Sequence, residues 1–409
     1  MAFRDLVQRN RVELASMVAS ESGKSLRDAD ADVAKGLESI DWACALPHIA
    51  CGRHATVSDG VTCHEVREPL GIVACVTPFN FPFMVPMWTA PVAIAAGNCV
   101  LMKPSEKTPA TMLRAAELMD EAGLPPNVLQ VIEGGKSLVG HLCDHPGIAA
   151  LSFVGSSQVA RTVHARAVAT GKRAVALGGA NNYLLAMPDC DIEATARDVV
   201  SSFTGCAGQR CMSASVLLVV GEQAQLVAAI VDASRKAEGI GTMIDVEAAT
   251  HICGQVNDAE RGGARLLLDG RADGVRCRPT ILEFPRAMAV HDTFRGEVFG
   301  PVLKIMQVDS CREALALENL DDHGNGACVY TRSGALAEFC ARQFRAGMVG
   351  INVGIPVPRD PFCFGGHDGT DSKFGTHDIN GQGALDLVTR TKKITSRWQS
   401  ASGDDPAQF

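Results

Sequence analysis

From residue 71 onward, short apolar runs alternate with longer amphipathic segments. The apolar runs are GIVACVT from residue 71, NCVLMKPS from 98, VLQVIEG from 128, IAALSFVGS from 148 and RAVALGG from 173. Each run has the length and continuous hydrophobicity of a buried strand, while the segments between them have helical spacing. This alternation predicts an α/β fold with a parallel sheet covered by helices on both faces.

The helices of this first unit are predicted at about 84–96, 108–123, 136–145 and 156–169. In the second of them, Thr108 is predicted as the N-cap, Pro109 lies in the first turn and Gly123 marks the end.

A second series of strands and helices begins near residue 183. Its predicted strands are YLLAMP from 183, SVLLVVG from 215, ACVYT from 327 and GMVGINVG from 347, with helices at about 191–206, 222–239 and 334–346. The series predicts a second doubly wound parallel-sheet domain. Residues 55–69 alternate around an Asp-Gly turn and predict a hairpin that stands off the sheet. The final alternation, LDLVTRTKKITSRW from residue 385, predicts an edge strand that an oligomeric partner would cover.

Composition and charge favour a protein that acts on small molecules. A chain of 409 residues exceeds one compact core and indicates two or three domains. A net charge of −8 gives no basic surface for nucleic acid or an anionic membrane. Residues 79–102 carry no charge, but Pro82, Pro86 and Pro91 favour a buried turn, helix and strand over a membrane span.

The fifteen cysteines are predicted to be reduced thiols in the cytoplasm. The chain begins MAFRDLVQRN, without the apolar region of a secretory signal. Because no two cysteines have CxxC spacing, no metal site is predicted.

One cysteine stands out by its surroundings. In SFTGCAGQRCMSAS, residues 202–215, Cys211 follows a Gly-rich turn and directly follows Arg210. A cationic neighbour and free backbone N–H groups favour the thiolate, which is the form that attacks a carbonyl. The alternative is a small core residue, as most cysteines are, and Cys206 in the same turn is the weaker candidate nucleophile.

Four other loops carry candidate chemistry. TPFNFP places Asn80 after a strand end, where its amide faces a possible crevice or makes an Asx-type turn. The next loops are KPSE with Lys103 and Glu106, FVGSS with Gly155 and Ser156, and EVFGP with Glu297 and Phe299. The KPSE loop suits the binding of ribose hydroxyls, or it is a solvated loop. The FVGSS loop suits a phosphate at the start of a helix, or it is an ordinary strand-to-helix turn.

Six motifs resemble the aldehyde dehydrogenase superfamily in their order and rough spacing, over nearly the whole chain. They are TPFNFP, KPSE, FVGSS, LGG, GQRC and EVFGP. Within this superfamily, three segments are most similar to the CoA-acylating methylmalonate-semialdehyde dehydrogenases. They are LGGANNYLLAMPDCD, GQRCMS and TRTKKITSRW.

The resemblance implies a mechanism and a set of residue roles. Cys211 would attack an aldehyde, and the oxyanion would be held by the Asn80 side chain and the Cys211 backbone N–H. Hydride would pass to NAD, which is favoured over NADP because Glu106 would repel a 2′-phosphate. The implied cofactor contacts are Thr77, Phe79, Lys103, Glu106, Gly155, Ser156, Glu297 and Phe299.

The fate of the resulting thioester depends on a missing carboxylate. Hydrolytic relatives carry Glu immediately before the LGG turn, whereas KRAVALGGANN contains no acid. Transfer to CoA, whose thiol is already nucleophilic, is therefore favoured over water attack. Hydrolysis with another base and a low-activity scaffold subunit remain the alternatives. Arg210 would bind a substrate carboxylate, or it is a surface charge that only lowers the pKa of Cys211, and Lys35 stands where a second Arg is expected.

The resemblance also implies how the chain is organised. Residues 1–54 and 70–180 would form the NAD-binding domain, 181–370 the catalytic domain, 371–387 a return segment, and 55–69 with 388–409 the oligomerisation elements. A homo-dimer or homo-tetramer is expected, with no nucleic-acid or membrane partner. Relative to the family pattern the chain begins late, inside a helix of the cofactor domain.

Overall fold

The computed structural model of the chain describes residues 1–398. The helices are α1 (Ala2–Arg9), α2 (Arg11–Ser22), α3 (Leu26–Cys44), α4 (Leu46–Ile49), α5 (Met84–Ala95), α6 (Ala110–Glu121), α7 (Lys136–Asp144), α8 (Ser157–Ala169), α9 (Ile192–Thr204), α10 (Ala224–Arg235), α11 (Val246–Gly262), α12 (Asp292–Arg295), α13 (Cys311–Leu320), α14 (Gly334–Gln343) and α15 (Gly381–Val388). The strands are β1 (His54–Ser58), β2 (Val61–Pro69), β3 (Ile72–Val76), β4 (Cys99–Lys103), β5 (Leu129–Val131), β6 (Ile148–Val154), β7 (Arg173–Leu177), β8 (Asn182–Ala186), β9 (Ala214–Val220), β10 (Arg265–Leu268), β11 (Thr280–Glu283), β12 (Val302–Val308), β13 (Gly326–Tyr330), β14 (Met348–Ile351), β15 (Lys373–Phe374) and β16 (Thr389–Arg397).

A six-stranded sheet forms from the first series of strands, in the order β15-β7-β6-β3-β4-β5. All pairings are parallel except that of β15 with β7. Successive residues of β3 enter different cores, since Val73 packs with α3 and α5 while Ala74 packs with α7 and α8. The predicted parallel sheet with helices on both faces is confirmed.

A seven-stranded sheet has the order β10-β11-β12-β9-β8-β13-β14 and is parallel except for β10. Tyr183 and Leu185 of β8 join a core with α11, α13 and α14, whereas Leu184 and Ala186 join a core with α9 and α10. This second doubly wound sheet is also confirmed. The sequence reading did not identify β10, β11 and β12 or the helices α11 to α13.

A three-stranded antiparallel sheet, β1-β2-β16, stands apart from these two. The hairpin turns at the predicted Asp-Gly pair, and β16 pairs with β2 from Thr389 opposite Pro69 to Arg397 opposite Val61. β16 is therefore an edge strand, as predicted, and its inner partner comes from the same chain, while an oligomeric partner at its outer edge stays a prediction. Residues 385–388 belong to helix α15 rather than to a strand, since Leu385, Leu387 and Val388 are buried against α5. Residues 399–409 of the predicted oligomerisation element lie outside the described residues.

The start of α6 differs from its prediction. Thr108 does not cap it; the Thr108 hydroxyl donates instead to the Phe79 carbonyl at 3.4 Å. The Glu21 carboxylate accepts from the N–H groups of Ala110 and Thr111 at 2.8 and 2.9 Å, so a residue of α2 caps α6. Gly123, with φ of +86°, follows the helix end as expected.

In residues 1–398, no helix combines the length and hydrophobicity that a bilayer crossing needs. The uncharged segment 79–102 folds as a loop, α5 and β4.

Candidate active site

The candidate residues lie where two sheet edges meet. Four motif residues follow or end strands of the six-stranded sheet and therefore share its carboxyl edge. They are Thr77 after β3, Lys103 at the end of β4, Gly155 after β6 and Gly178 after β7. Cys211 precedes β9 at the opposite, amino edge of the seven-stranded sheet. The edges are joined by a hydrogen bond that the buried Asn80 amide donates to the Gln209 carbonyl at 3.0 Å. The structure therefore brings Asn80 to the loop of Cys211.

A left-handed turn leads into that loop. Cys206, Ala207 and Gly208 have φ values of 53°, 52° and 70°, a conformation that is strained for the first two. The turn is held because Ala207 N–H donates to the Ile240 carbonyl at 2.7 Å. A side chain at Gly208 would lie 2.1 Å from the Gly300 carbonyl oxygen, so glycine alone lets the segment 297–301 pack against this turn.

The peptide carbonyl of Cys211 is fixed by two amides. Asn182 donates to it at 2.9 Å from the start of β8, and Asn325 donates at 2.8 Å from just before β13. Neither residue was identified from the sequence, although Asn182 belongs to the GGANN segment. These bonds orient the peptide that follows the thiol.

A pocket of about 180 Å³ opens beside Cys211. Its walls are mostly apolar, with Phe81, Met84, Ile355 and Phe364 among the lining residues. Asp28, Lys35 and Arg210 also line it. A larger groove of about 410 Å³ lies beside α1 and α6, but none of the motif residues lines it.

Arg210 is already paired. Its guanidinium donates to one Asp28 oxygen at 3.1 Å, and the other Asp28 oxygen accepts from the Cys206 N–H at 3.0 Å. The Arg210 side chain is 18 % exposed, so it is not the surface charge considered from sequence. Lys35 binds Glu38 at 2.9 Å. Asp28, which belongs to none of the motifs, thus connects the basic side chain to the turn before Cys211.

Burial changes the expected chemistry of Cys211. The pKa of its thiol is raised to about 12, first because burial disfavours the thiolate and second because the Glu297 carboxylate faces it. Backbone N–H groups and Arg210 lower the pKa by less. The expected thiolate is therefore absent from the ligand-free protein at neutral pH, and the thiol is protonated.

Glu297 is the acid at this site. Its carboxylate accepts from the Ala180 N–H at 2.9 Å, and burial raises its pKa. A Cβ at Gly179 would lie 2.3 Å from a Glu297 oxygen, so that glycine gives the carboxylate room. At the position directly before Leu177 stands Ala176, a fully buried strand residue without an ionisable group.

Behind Glu297 lies a buried lysine that sequence reasoning missed. The Lys304 ammonium donates to the carbonyls of Phe294 and Gly296 at 2.6 and 2.8 Å and to the Asn181 side chain at 2.9 Å. It thereby fixes the backbone directly before Glu297. Burial lowers the pKa of Lys304 to about 7.

The carboxyl edge of the six-stranded sheet suits a dinucleotide. Lys103 pairs with the exposed Glu106 at 2.7 Å, and the buried Thr77 hydroxyl has no hydrogen-bond partner within residues 1–398. Gly155 and Ser156 lead into α8, and the Ser156 side chain does not cap the helix, so within the described chain its first N–H groups stay available.

The aromatic pair of the predicted cofactor set is also brought together. Phe79 and Phe299 meet edge to face, with ring centroids 6.0 Å apart. Since Phe79 adjoins Asn80 and Phe299 lies two residues after Glu297, this contact connects the two sides of the cleft.

Three comparisons extend this picture. A model of the aldehyde dehydrogenase family matches residues 1–394. A malonate-semialdehyde dehydrogenase of Pseudomonas aeruginosa is 36% identical, and the match covers 100% of this chain and 85% of that protein. A mitochondrial acylating methylmalonate-semialdehyde dehydrogenase of Arabidopsis thaliana is 37% identical over 98% of this chain and 68% of that protein.

Solved structures give the same result. A Sinorhizobium meliloti protein assigned as methylmalonate-semialdehyde dehydrogenase, crystallised with NAD, is 38% identical with a TM-score of 0.94 over 99% of this chain and 85% of that one. The methylmalonate-semialdehyde dehydrogenase of Oceanimonas doudoroffii is 35% identical, with a TM-score of 0.94 over 98% and 85% of the two chains.

Proposed function

Because this chain belongs to the aldehyde dehydrogenase family, we propose that it oxidises a small semialdehyde through a thioester on Cys211, with NAD as the hydride acceptor. The observation that carries the proposal is the meeting of Asn80 and the Cys211 loop beside a pocket large enough for only a small substrate. Residues from two separate sheets build this arrangement, which an isolated core cysteine would not need.

In the proposed reaction, the Cys211 sulfur attacks the aldehyde carbon and loses its proton. The Asn80 amide has a second N–H beyond the one bound to Gln209, and it donates to the developing oxyanion together with the Cys211 backbone N–H. The amides of Asn182 and Asn325 hold the Cys211 carbonyl and so keep that peptide in place. Loss of one oxyanion donor typically costs about 10²- to 10³-fold in rate.

NAD, when bound, supplies the acceptor for the hydride of this adduct. Lys103 and Glu106 would bind the adenosine ribose, and the N–H groups at the start of α8 would bind the pyrophosphate. Thr77, whose buried hydroxyl bonds to no described residue, and Phe79 would contact the same cofactor. Glu297 and Phe299 would contact its nicotinamide side.

We assign the discharge of the thioester to CoA. No carboxylate stands directly before Leu177, where Ala176 is buried in β7. A thiol needs less help from a general base than water does. The relatives described above include an enzyme whose name records acylation.

The proposed substrate class is a semialdehyde that carries a carboxylate. Arg210 and Lys35 both line the pocket, and each could exchange its present carboxylate partner for that of the substrate. Two of the relatives are named for malonate or methylmalonate semialdehyde.

Hydrolysis is a second candidate, supported by Glu297. This partly buried acid raises the pKa of the Cys211 thiol through its negative charge, and its own pKa is raised by desolvation, which makes its carboxylate a stronger base. In that case Glu297 would activate water against the thioester.

We further propose the division into an NAD-binding domain of 1–54 and 70–180, a catalytic domain of 181–370 and a return segment of 371–387. The hairpin 55–69 and the C-terminal strand would join copies into a homo-dimer or homo-tetramer. The outer edge of β16 pairs with no other described strand, which supports a role in assembly. A cytoplasmic location belongs to the same proposal.

A burst assay tests the proposed function. Purified protein is mixed with NAD and either malonate semialdehyde or propanal, and NADH absorbance is followed with and without CoA. We expect about one NADH per active site without CoA and steady turnover after CoA is added, with malonate semialdehyde preferred. Cys211→Ala should show neither phase.

The other outcomes separate the alternatives. Steady turnover without CoA that is lost in Glu297→Gln would indicate hydrolysis. No burst with any aldehyde would contradict the proposal and favour a scaffold subunit.

A further inference from the structure

A second pair of cysteines lies away from the candidate active site. Cys311 is the first residue of α13, and Cys340 lies in the last turns of α14. Their sulfur atoms are 3.3 Å apart and share a hydrogen bond. A disulfide needs an S–S distance of about 2.05 Å, so the two sulfurs must approach by little more than about 1 Å. Both helices pack into the same core on one face of the seven-stranded sheet.

The two thiols differ in reactivity. Cys311 is partly exposed, whereas Cys340 is fully buried. The hydrogen bond with Cys340 lowers the pKa of the Cys311 thiol, because a Cys340 S–H can donate to a Cys311 thiolate, and the neighbouring Arg312 lowers it further. The helix N-terminus also favours an anion at its first residue. The same contact raises the pKa of Cys340, so one thiol is ready to react and the other stays protonated.

We propose that Cys311 and Cys340 form a reversible disulfide under hydroperoxide, with Cys311 as the attacking and Cys340 as the resolving residue. Cys311 releases its proton to solvent and attacks one peroxide oxygen. With hydrogen peroxide, the S–O bond forms, the O–O bond breaks, and the leaving hydroxide takes up a proton to give water. The Cys340 sulfur then displaces hydroxide from the sulfenic acid, and its proton completes a second water. Two thiols lose two electrons, and the hydroperoxide gains them.

The cross-link would join segments that already converge. The Glu318 carboxylate, at the end of α13, accepts from the N–H groups of Arg345 and Ala346 at 3.0 Å each, directly after α14. A covalent bond near the other end of α13 would therefore hold the helix pair at two places. It would also close a loop between positions 29 apart, which restricts the unfolded chain.

The test is peptide mapping of the intact chain after hydrogen peroxide. Protein is treated at pH 7.5, remaining thiols are blocked with iodoacetamide, and proteolytic peptides are analysed by mass spectrometry. We expect a cross-linked peptide containing Cys311 and Cys340 that disappears after dithiothreitol, and a rise of a few degrees in the midpoint of thermal unfolding. In the absence of peroxide, Cys311 should be alkylated a few-fold faster than Cys253, another partly exposed thiol.

Variants make the result specific. Cys311→Ser and Cys340→Ala should each abolish both the cross-link and the thermal shift, whereas Cys253→Ser should keep them. Cys211→Ala should also keep them, because the proposed pair does not use the catalytic thiol. The proposal would be overturned by Cys311 appearing only as sulfinic or sulfonic acid, or by Cys340 remaining alkylatable after unfolding of the treated protein. Neither outcome would bear on the dehydrogenase activity.

Discussion

At the residue scale, the protonation of Cys211 depends on burial and on one carboxylate. Its pKa of about 12 keeps the thiol protonated at neutral pH, so the proposed attack on an aldehyde requires its activation when ligands enter. Arg210 contributes little because Asp28 already neutralises it. The effect of Arg210, which the sequence suggested as activating, is thus outweighed by that of Glu297, 87 positions further along the chain.

Glu297→Gln should therefore make the resting Cys211 thiol more reactive. Removing the nearby negative charge lowers the cost of forming the thiolate. Iodoacetamide alkylation of Cys211 at pH 8, followed by peptide mass spectrometry, should be faster in the variant than in the parent. Alkylation of Cys253 in the same samples is the control and should not change. Equal Cys211 rates would show that Glu297 does not set this pKa.

The sequence allowed the residues proposed to face the cleft to be predicted, but not the residues that hold them in position. Asn80, Glu297 and Cys211 stood in loops with Gly or Pro neighbours, which can be recognised locally. Asp28 supports the same site from inside a helix and carries no such mark, whereas Asn325 lies between two glycines but belongs to none of the motifs. Their roles arise from packing between segments far apart in the chain, so no local pattern could reveal them.

At the element scale, α3 separates the pocket beside Cys211 from the first core. Asp32 of α3 binds Lys24 at 2.8 Å, with both side chains almost fully buried, and accepts from the Met84 N–H at 2.7 Å at the start of α5. One carboxylate therefore joins two helices and neutralises a buried cation.

Asp32→Asn should destabilise the folded chain strongly. It leaves the Lys24 ammonium buried without a counter-charge, which costs about 3–5 kcal/mol. The urea dependence of fluorescence measures the loss. Asp30→Asn is the matched control, because Asp30 pairs with Arg11 at the surface and such pairs contribute about 1 kcal/mol or less. Equal effects of the two variants would contradict this account.

Elements with unbroken apolar runs were the most predictable. β3, β4 and β6 were identified because nothing else in a soluble chain explains such runs between helices. The segment 385–388 alternates over only four residues, a length at which strand and helix patterns cannot be told apart. Burial against α5 decided in favour of the helix.

At the scale of the whole molecule, Lys304 links stability to pH. Its folded pKa of about 7 lies below its ordinary value of 10.5. Between these values the unfolded chain holds a proton that the folded chain does not. The contribution of Lys304 to the free energy of unfolding therefore rises as the pH increases from 7 towards 10.5, and it is lowest below pH 7.

Lys304→Met should remove this dependence. The free energy of unfolding of the parent minus that of the variant should increase between pH 7 and pH 9, by roughly 1 kcal/mol per pH unit at the steepest point. Urea titrations of both proteins at the two pH values provide the measurement. A constant difference would mean that Lys304 keeps its proton in the fold.

The pairing of β16 with β2 has a consequence for biosynthesis. Strand β2 leaves the ribosome early, whereas its partner, residues 389–397, is made only after more than 300 further residues. During that interval one side of the hairpin presents open backbone groups to every other nascent chain nearby. Protection of this side before translation ends has to come from chaperones or from the charged side chains of β2 itself, such as Glu65 and Arg67.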